Sequence, residues 1–220
     1  MAASRAPRDT YHHGDLRRTL VAAAEELLAE RGVDGFSLRE VARRAGVSAA
    51  APAHHFGDSA GLLTAVATLG FEELAQSLLA GHKGSGNDPR ARLVGQGVGY
   101  VRFALAYPGR FGLMFRDGPR RDDPALGAAA SRAFQVLEND IRALLRLGPD
   151  GPLDADARAA LLAMWSIVHG FAHLAIGGRF DWLAGGARID RWVARTLPAV
   201  LRAAMDGIGD RPPQRRPERP

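Results

Sequence analysis

Cysteine is absent from this 220-residue chain, lysine occurs once, at Lys83, and no segment alternates apolar and polar residues as a half-buried strand would. Without thiols there can be no disulfide, no thiolate nucleophile and no cysteine-ligated zinc. Without a strand pattern the fold is expected to be all-α. Catalytic signatures are missing as well: there is no Gly-x-Ser-x-Gly, no phosphate loop and no cluster of carboxylates with histidines. Gly95-Gln96-Gly97-Val98-Gly99 has no strand before it to make a dinucleotide site. No enzyme activity, no cofactor and no metal are therefore expected. The opening MAASRAPRDT lacks the apolar stretch of a secretory signal, which points to the cytoplasm. Charge is missing from residues 159–178, long enough to span a bilayer, but two histidines, Ser166 and three glycines fit a helix buried on both sides instead.

What the chain does have is arginine, and apolar residues at helical spacing. Its formal net charge is +5. That excess is not at the N-terminus, however. Within residues 1–60, arginines at 5, 8, 17, 18, 31, 39, 43 and 44 are balanced by acids at 9, 15, 25, 26, 30, 34, 40 and 58. Any nucleic-acid contact made there must come from the placement of charges, not from their sum.

Residues 1–11 read as a flexible basic arm. From Asp15, the spacing of Leu16, Leu20, Ala23, Leu27 and Leu28 predicts a first helix that Gly32 stops. Ser37-Leu38-Arg39-Glu40 predicts a capping box at the start of a short second helix running to about Ala45. Gly46 supplies the positive φ of a tight turn, and Ser48 is expected to cap a third helix with Pro52 in its first turn, ending before Gly57. Asp58 opens a long fourth helix whose apolar face is Leu62, Leu63, Val66, Leu69, Leu74 and Leu78. The glycine-rich segment at 81–89 predicts a boundary between a first domain over 12–80 and a second domain over 88–207. Further helices are expected at roughly 89–107, 110–116, 122–147, 154–176 and 188–206, about nine in all, followed by a disordered tail over 208–220.

Within SLREVARRAGVSAAAPAHHF, small Ala42 stands where two helices must approach, Gly46 makes the turn, and Leu38, Val41, Val47 and Phe56 face inward. These are the steric demands of a helix-turn-helix. With His55-Phe56 and Gly61-Leu62-Leu63 also in order, residues 12–75 resemble the DNA-binding domain of the TetR/AcrR family of transcriptional regulators. WSIVHG, Trp165 to Gly170, is similar to the Trp-His-Gly segment of one group of C-terminal domains in that family. The resemblance implies an Ω-shaped homodimer on a palindromic double-stranded operator, joined by a four-helix interface from the last two long helices. It also implies a small-molecule effector in the C-terminal domain that changes the separation of the two reading heads.

Two positions depart from the family pattern. Many members carry a phosphate-contacting tyrosine where Ala53 stands and a lysine where Ser59 stands. The grip then falls to Ser48, His54, the amides near Asp58 and the arginines of the first two helices. The candidate DNA-binding residues are Arg17, Ser37, Arg39, Arg44, Ser48, Ala49, Ala50, His54, His55 and Ser59. Alanines let the helix lie close to the groove floor against thymine methyls, His54 is the expected base reader, and Arg39 and Arg44 are candidates for bases or phosphates.

The candidate effector site comprises Tyr100, Phe103, Tyr107, Phe111, Met114, Phe134, Trp165 and His169. Tyr100, Trp165 and His169 are its most informative members, because a buried hydroxyl or ring nitrogen needs a partner that a ligand can supply. His169 and His173 have the spacing of two metal ligands on a helix, yet no third ligand is evident, so interior or interface histidines are the better reading. Gly95, Gly97 and Gly99 either make room for a ligand or let another helix pack closely, and close packing is favoured. The function expected is a ligand-responsive DNA-binding regulator, a repressor that leaves its operator on binding a small apolar or aromatic effector. The alternatives are a helical adaptor for a protein partner and a helical-bundle enzyme.

Overall fold

The computed structural model describes residues 13–206 and 208. The arm predicted over 1–11 and, apart from Ile208, the tail predicted over 208–220 lie outside the described residues. Those described form ten α-helices and no strand: α1 His13–Arg31, α2 Leu38–Arg44, α3 Ala51–Phe56, α4 Ser59–Gly81, α5 Pro89–Ala106, α6 Pro108–Met114, α7 Pro124–Leu144, α8 Ala155–Ile176, α9 Asp181–Ala184 and α10 Ile189–Asp206. The all-α expectation holds. The additional helix is α9, a single turn inside the segment Gly177 to Gly186 that the sequence presents only as a separator. Aspartates punctuate the starts: Asp88 accepts from the Arg90 amide at 2.9 Å, and Asp154 accepts from the Ala157 amide at 2.9 Å.

The chain divides into two compact units, one made of residues up to 68 with 109–126, the other of 69–108 with 127 onward. This differs from the division at 81–89. The boundary lies within α4, and α6 belongs with the first unit. The reason for α6 is visible in its packing. Phe111, Leu113 and Met114 are buried, and a Cβ on Gly109 would stand 2.8 Å from the α1 backbone at Leu28 and Ala29. Buried Arg110 forms an ion pair with Glu25 of α1. Around them the core of this unit is Leu20, Ala24, Leu27 and Leu28 of α1, Val41 and Ala42 of α2, Phe56 of α3, and Leu62, Leu63 and Val66 of α4. Burying each of the larger side chains stabilises by about 2 kcal/mol.

In the second unit α5 is the centre, packed against α10 and α8. Val193, Leu197, Leu201 and Met205 recur every four residues on α10 and are fully buried. Gly97 sits where the helices meet: a Cβ there would stand 2.5 Å from Leu201 and 3.2 Å from Val168. The end of α4 approaches α5 backbone to backbone. A Cβ on Gly95 would stand 2.0 Å from the Gly81 carbonyl oxygen, and one on Gly99 2.4 Å from that of Ser77. The Ser77 hydroxyl donates to the Gly99 carbonyl at 2.9 Å across the same contact. Close packing is thus what Gly95, Gly97 and Gly99 serve. Beside this contact, buried Asp140 of α7 accepts from the Gln96 side chain at 3.0 Å and lies 2.7 Å from His82 Nε2. Burial raises the Asp140 pKa, with the charge of His82 opposing it. Helices α4 and α8 are long and apolar enough to cross a membrane, and each gives one face to these cores.

Candidate nucleic-acid interface and effector cluster

The helix-turn-helix is built as its residues require, with two exceptions. Ser37 occupies the N-cap of α2 in extended backbone, φ −148° and ψ 128°, but its side chain makes no capping hydrogen bond. The expected box does not close because Glu40 turns to guanidinium groups, which bind a carboxylate more strongly than a neutral amide does. Arg43 donates to Glu40 through Nε at 2.9 Å and Nη2 at 2.7 Å, Arg44 Nε lies at 3.4 Å, and Arg31 is 3.8 Å away. The hydrogen bonds from Arg43, first among these, hold the Glu40 pKa down at about 2. The second exception is the start of α3. Its N-cap is Ala50, already helical at φ −82°, and Ser48 contributes only its carbonyl, which accepts from the Ala51 amide at 3.0 Å. Gly46 takes φ +67° as the turn demands. The Val47 amide closes the turn on the Ala42 carbonyl at 3.0 Å.

This arrangement sorts the arginines. Arg44 donates through both Nη atoms to Glu30, at 2.8 Å through Nη1, and its side chain is 13% exposed, so it ties α2 to α1 rather than standing in solvent. The Glu30 hydrogen bond raises its pKa. Arg43 is committed to Glu40 while remaining exposed. Arg39 is exposed, and among the described residues no carboxylate pairs with it. Arg17 lies with its guanidinium carbon 4.5 Å from the centre of the Phe56 ring and donates to the His55 carbonyl at 3.5 Å, so it bears on the end of α3.

Ser37, Arg39, Ser48, Ala49, Ala50, His54 and Ser59 are all exposed, and His55 is half-buried with its ring edge-on to His54 at 5.4 Å. Ser37, Arg39 and Ala49 line an open cleft of about 540 Å³ with Arg31 and Arg43. At the start of α4, the Asp58 carboxylate accepts from the Gly61 amide at 2.8 Å, which lowers its pKa, and pairs with Arg120 at 2.8 Å. The Arg120 amide in turn donates to the Thr64 hydroxyl at 2.8 Å. Arg120 is a residue that sequence reasoning missed. It follows α6 and reaches the helix-turn-helix from 62 positions away, with no local pattern to announce it.

In the second unit, three of the eight candidate effector residues meet through polar atoms. The Tyr100 hydroxyl lies 2.8 Å from His169 Nδ1, and the Trp165 indole donates a hydrogen bond to the same hydroxyl. Burial raises the Tyr100 pKa. His169 continues to His173, with 3.2 Å between their Nε2 atoms, and its pKa is lowered by burial first and by the charge of His173 second. Phe134 stands edge-on to Trp165 at 5.8 Å, and Phe103 packs on Tyr107 at 5.5 Å. Tyr107 and Phe134 remain more than a third exposed. Phe111 and Met114 are not brought to this group. They lie in the first unit, where they fill the core beside α1.

Comparison with known proteins gives this geometry its setting. A profile of bacterial regulatory proteins of the tetR family matches residues 20–66, and one of the tetracyclin repressor-like C-terminal domain matches residues 93–200. The chain belongs to the TetR family of transcriptional regulators. Among TetR relatives, the tetracycline repressor protein class A from transposon 1721 of Escherichia coli is 28% identical over 199 residues, 89% of this chain and 82% of the repressor. The HTH-type transcriptional regulator BetI of Stenotrophomonas maltophilia is 32% identical over 77 residues, 35% of this chain and 39% of its own. A solved structure of a protein with unknown function from Rhodococcus sp. RHA1 superimposes with a TM-score of 0.73 at 34% identity, covering 92% of this chain and all of the other. As a TetR-family member, the chain is a DNA-binding transcriptional regulator. Regulators of this family act as dimers.

Proposed function

We propose that the protein is a cytoplasmic repressor that binds a palindromic operator as a homodimer and leaves it on binding a small apolar or aromatic effector. It performs no catalysis. One observation carries the DNA part of this reading: Arg39, Ser48, Ala49, Ala50 and His54 are exposed together, while the neighbouring Arg43 and Arg44 are occupied by Glu40 and Glu30. Arg39 contacts a phosphate, His54 reads a base edge, and the alanines admit the helix to the major groove. Arg44 and Arg17 position the reading helix. Arg120, standing over the start of α4, supplies the cation that Ser59 does not, at the cost of sharing it with Asp58.

The test is selection of an operator from genomic fragments, followed by titration over several salt concentrations. Arg39→Ala is expected to reduce the salt slope by about 1, and His54→Ala to weaken preference at one base pair by about 1–3 kcal/mol. Arg120→Ala should behave as Arg39→Ala does. Parental behaviour in all three variants would remove this assignment. A selection that yields no specific DNA would favour an adaptor for a protein partner instead.

On the effector side, the hydrogen-bonded group of Trp165, Tyr100 and His169, in apolar surroundings with Phe134 and Tyr107 partly exposed beside it, supports a site for an aromatic compound. Dimerisation uses α8 and α10. The exposed positions of α8 between Arg158 and Arg179 include no aspartate, glutamate, lysine or arginine, as a face destined for burial requires.

A further inference from the structure

The most exposed large apolar side chain among the described residues is Trp182, at 79%, with Leu183 beside it at 49%. Both belong to α9, the one-turn helix between α8 and α10. The turn that carries them is held in place. Phe171 of α8, Phe180 before α9 and Trp192 of α10 form a ring cluster, with centroids 4.6 Å, 5.1 Å and 6.0 Å apart and the Phe171–Trp192 pair stacked at 17°. Arg188 and Asp190 pair at 3.1 Å where the chain leaves the turn. A tryptophan on a buttressed turn loses little conformational entropy on contact and brings a large apolar area, the properties of an interface anchor.

We infer that Trp182 is an anchor of the contact between two copies of this chain, packing on the α8 face of its partner. This rests on the dimer proposed above and names the residue that fastens it. Two features of the surface select a second copy as the occupant. Exposed apolar side chains are found on α8 as well as on the turn, Leu162, Leu174 and Ile176 lying on its solvent side, where no aspartate, glutamate, lysine or arginine interrupts them. The turn also carries both signs, Arg179 and Asp181 standing just before the tryptophan in sequence and both exposed. A patch of balanced charge can face its own copy without net repulsion, as a two-fold contact requires, whereas a membrane surface would select for basic excess.

Sedimentation of the full chain over a wide concentration range tests this. Trp182→Ala is expected to raise the dimer dissociation constant about a thousandfold, because a two-fold contact loses both anchors at once, while Trp182→Phe stays within about tenfold of the parent. Unfolding midpoints of both variants, measured at concentrations where parent and variants are all monomeric, should match the parent, since the indole is exposed in the single chain. In 5-fluorotryptophan-labelled dimer, the fluorine signal lost in Trp182→Phe should show no solvent isotope shift between H₂O and D₂O. If the parent is a dimer and Trp182→Ala dissociates no more than tenfold more readily, or that signal senses solvent fully, the anchor is overturned and the dimer stands. A parent that remains monomeric at tens of micromolar overturns both. Insertion of Trp182 into phosphatidylcholine vesicles by a chain that does not dimerise would identify a lipid surface in its place.

Discussion

In the unit built on α1, α2 and α3, helices are joined by arginine: Arg44 bridges to Glu30 on α1, Arg110 to Glu25, and Arg120 to the cap of α4. In the unit built on α5, α8 and α10, they are joined by what is missing from the helix surface, glycines that let backbones touch, and by a line of aromatic and imidazole groups from Trp165 through Tyr100 and His169 to His173. The contrast explains why local charge was such a poor guide to the DNA-binding segment. Its arginines and acids sum to zero, Arg43 and Arg44 are occupied by its own acids while Glu25 and Asp58 are held by arginines from further along the chain, and Arg39 is exposed with no carboxylate of the described residues beside it. Charge in the first unit is chiefly mortar, and the proposed DNA contacts fall to the residues left over.

That contrast can be broken from either side. The largest effect should come from Glu25→Ala, which removes the carboxylate facing buried Arg110 and is expected to cost about 4 kcal/mol in denaturant unfolding of the whole chain. Gly95→Ala should follow at about 3 kcal/mol, the upper end of the range for an added methyl, because the obstacle is backbone and cannot rotate away. Calorimetry that finds Gly95→Ala as stable as the parent would show the α4–α5 contact to be looser than described. Tyr100→Phe should cost about 1 kcal/mol and leave operator binding without effector unchanged.

The smallest effect belongs to Arg43→Ala. Arg43 is exposed and Glu40 keeps Arg44 and Arg31 beside it, so the unfolding midpoint at neutral pH should not move measurably. The pKa of Glu40 should nevertheless rise from about 2 towards the ordinary carboxylate range, read by carbon NMR of the side chain. The sign follows from the folded-state pKa being depressed: the contribution of Glu40 is present above the unfolded value and is lost as pH falls towards 2. In Arg43→Ala that loss should begin at higher pH.

Most helix boundaries were legible because glycine, proline and aspartate mark them directly. Asp88-Pro89, Asp154 and Gly57-Asp58 each sit where the backbone changes course, and their effect is local. What the sequence concealed was choice among partners. Glu40 has the spacing of a capping box and also that of an i,i+3 and i,i+4 partner for Arg43 and Arg44, and the stronger donors win. Phe111 and Met114 are plainly core residues, but apolar spacing says nothing about which core, and it is Gly109 and Arg110 against α1 that assign them. Of the candidate effector group, Tyr100, Trp165 and His169 stand out in the sequence because polar atoms in apolar helices are conspicuous, and the structure brings the three together. Arg120 was hidden by distance along the chain.

The meeting of Gly81 with Gly95 has a genetic consequence. Every missense change that one base substitution can make in a glycine codon adds at least a methyl group, and here that group would enter the opposite backbone. Intragenic suppression by shrinking the partner is closed off, because the partner is already the smallest residue there is. A change at either codon can be compensated only by moving the helices apart, so revertants of such alleles should map to the residues that set the spacing of α4 and α5, and not to the contact itself.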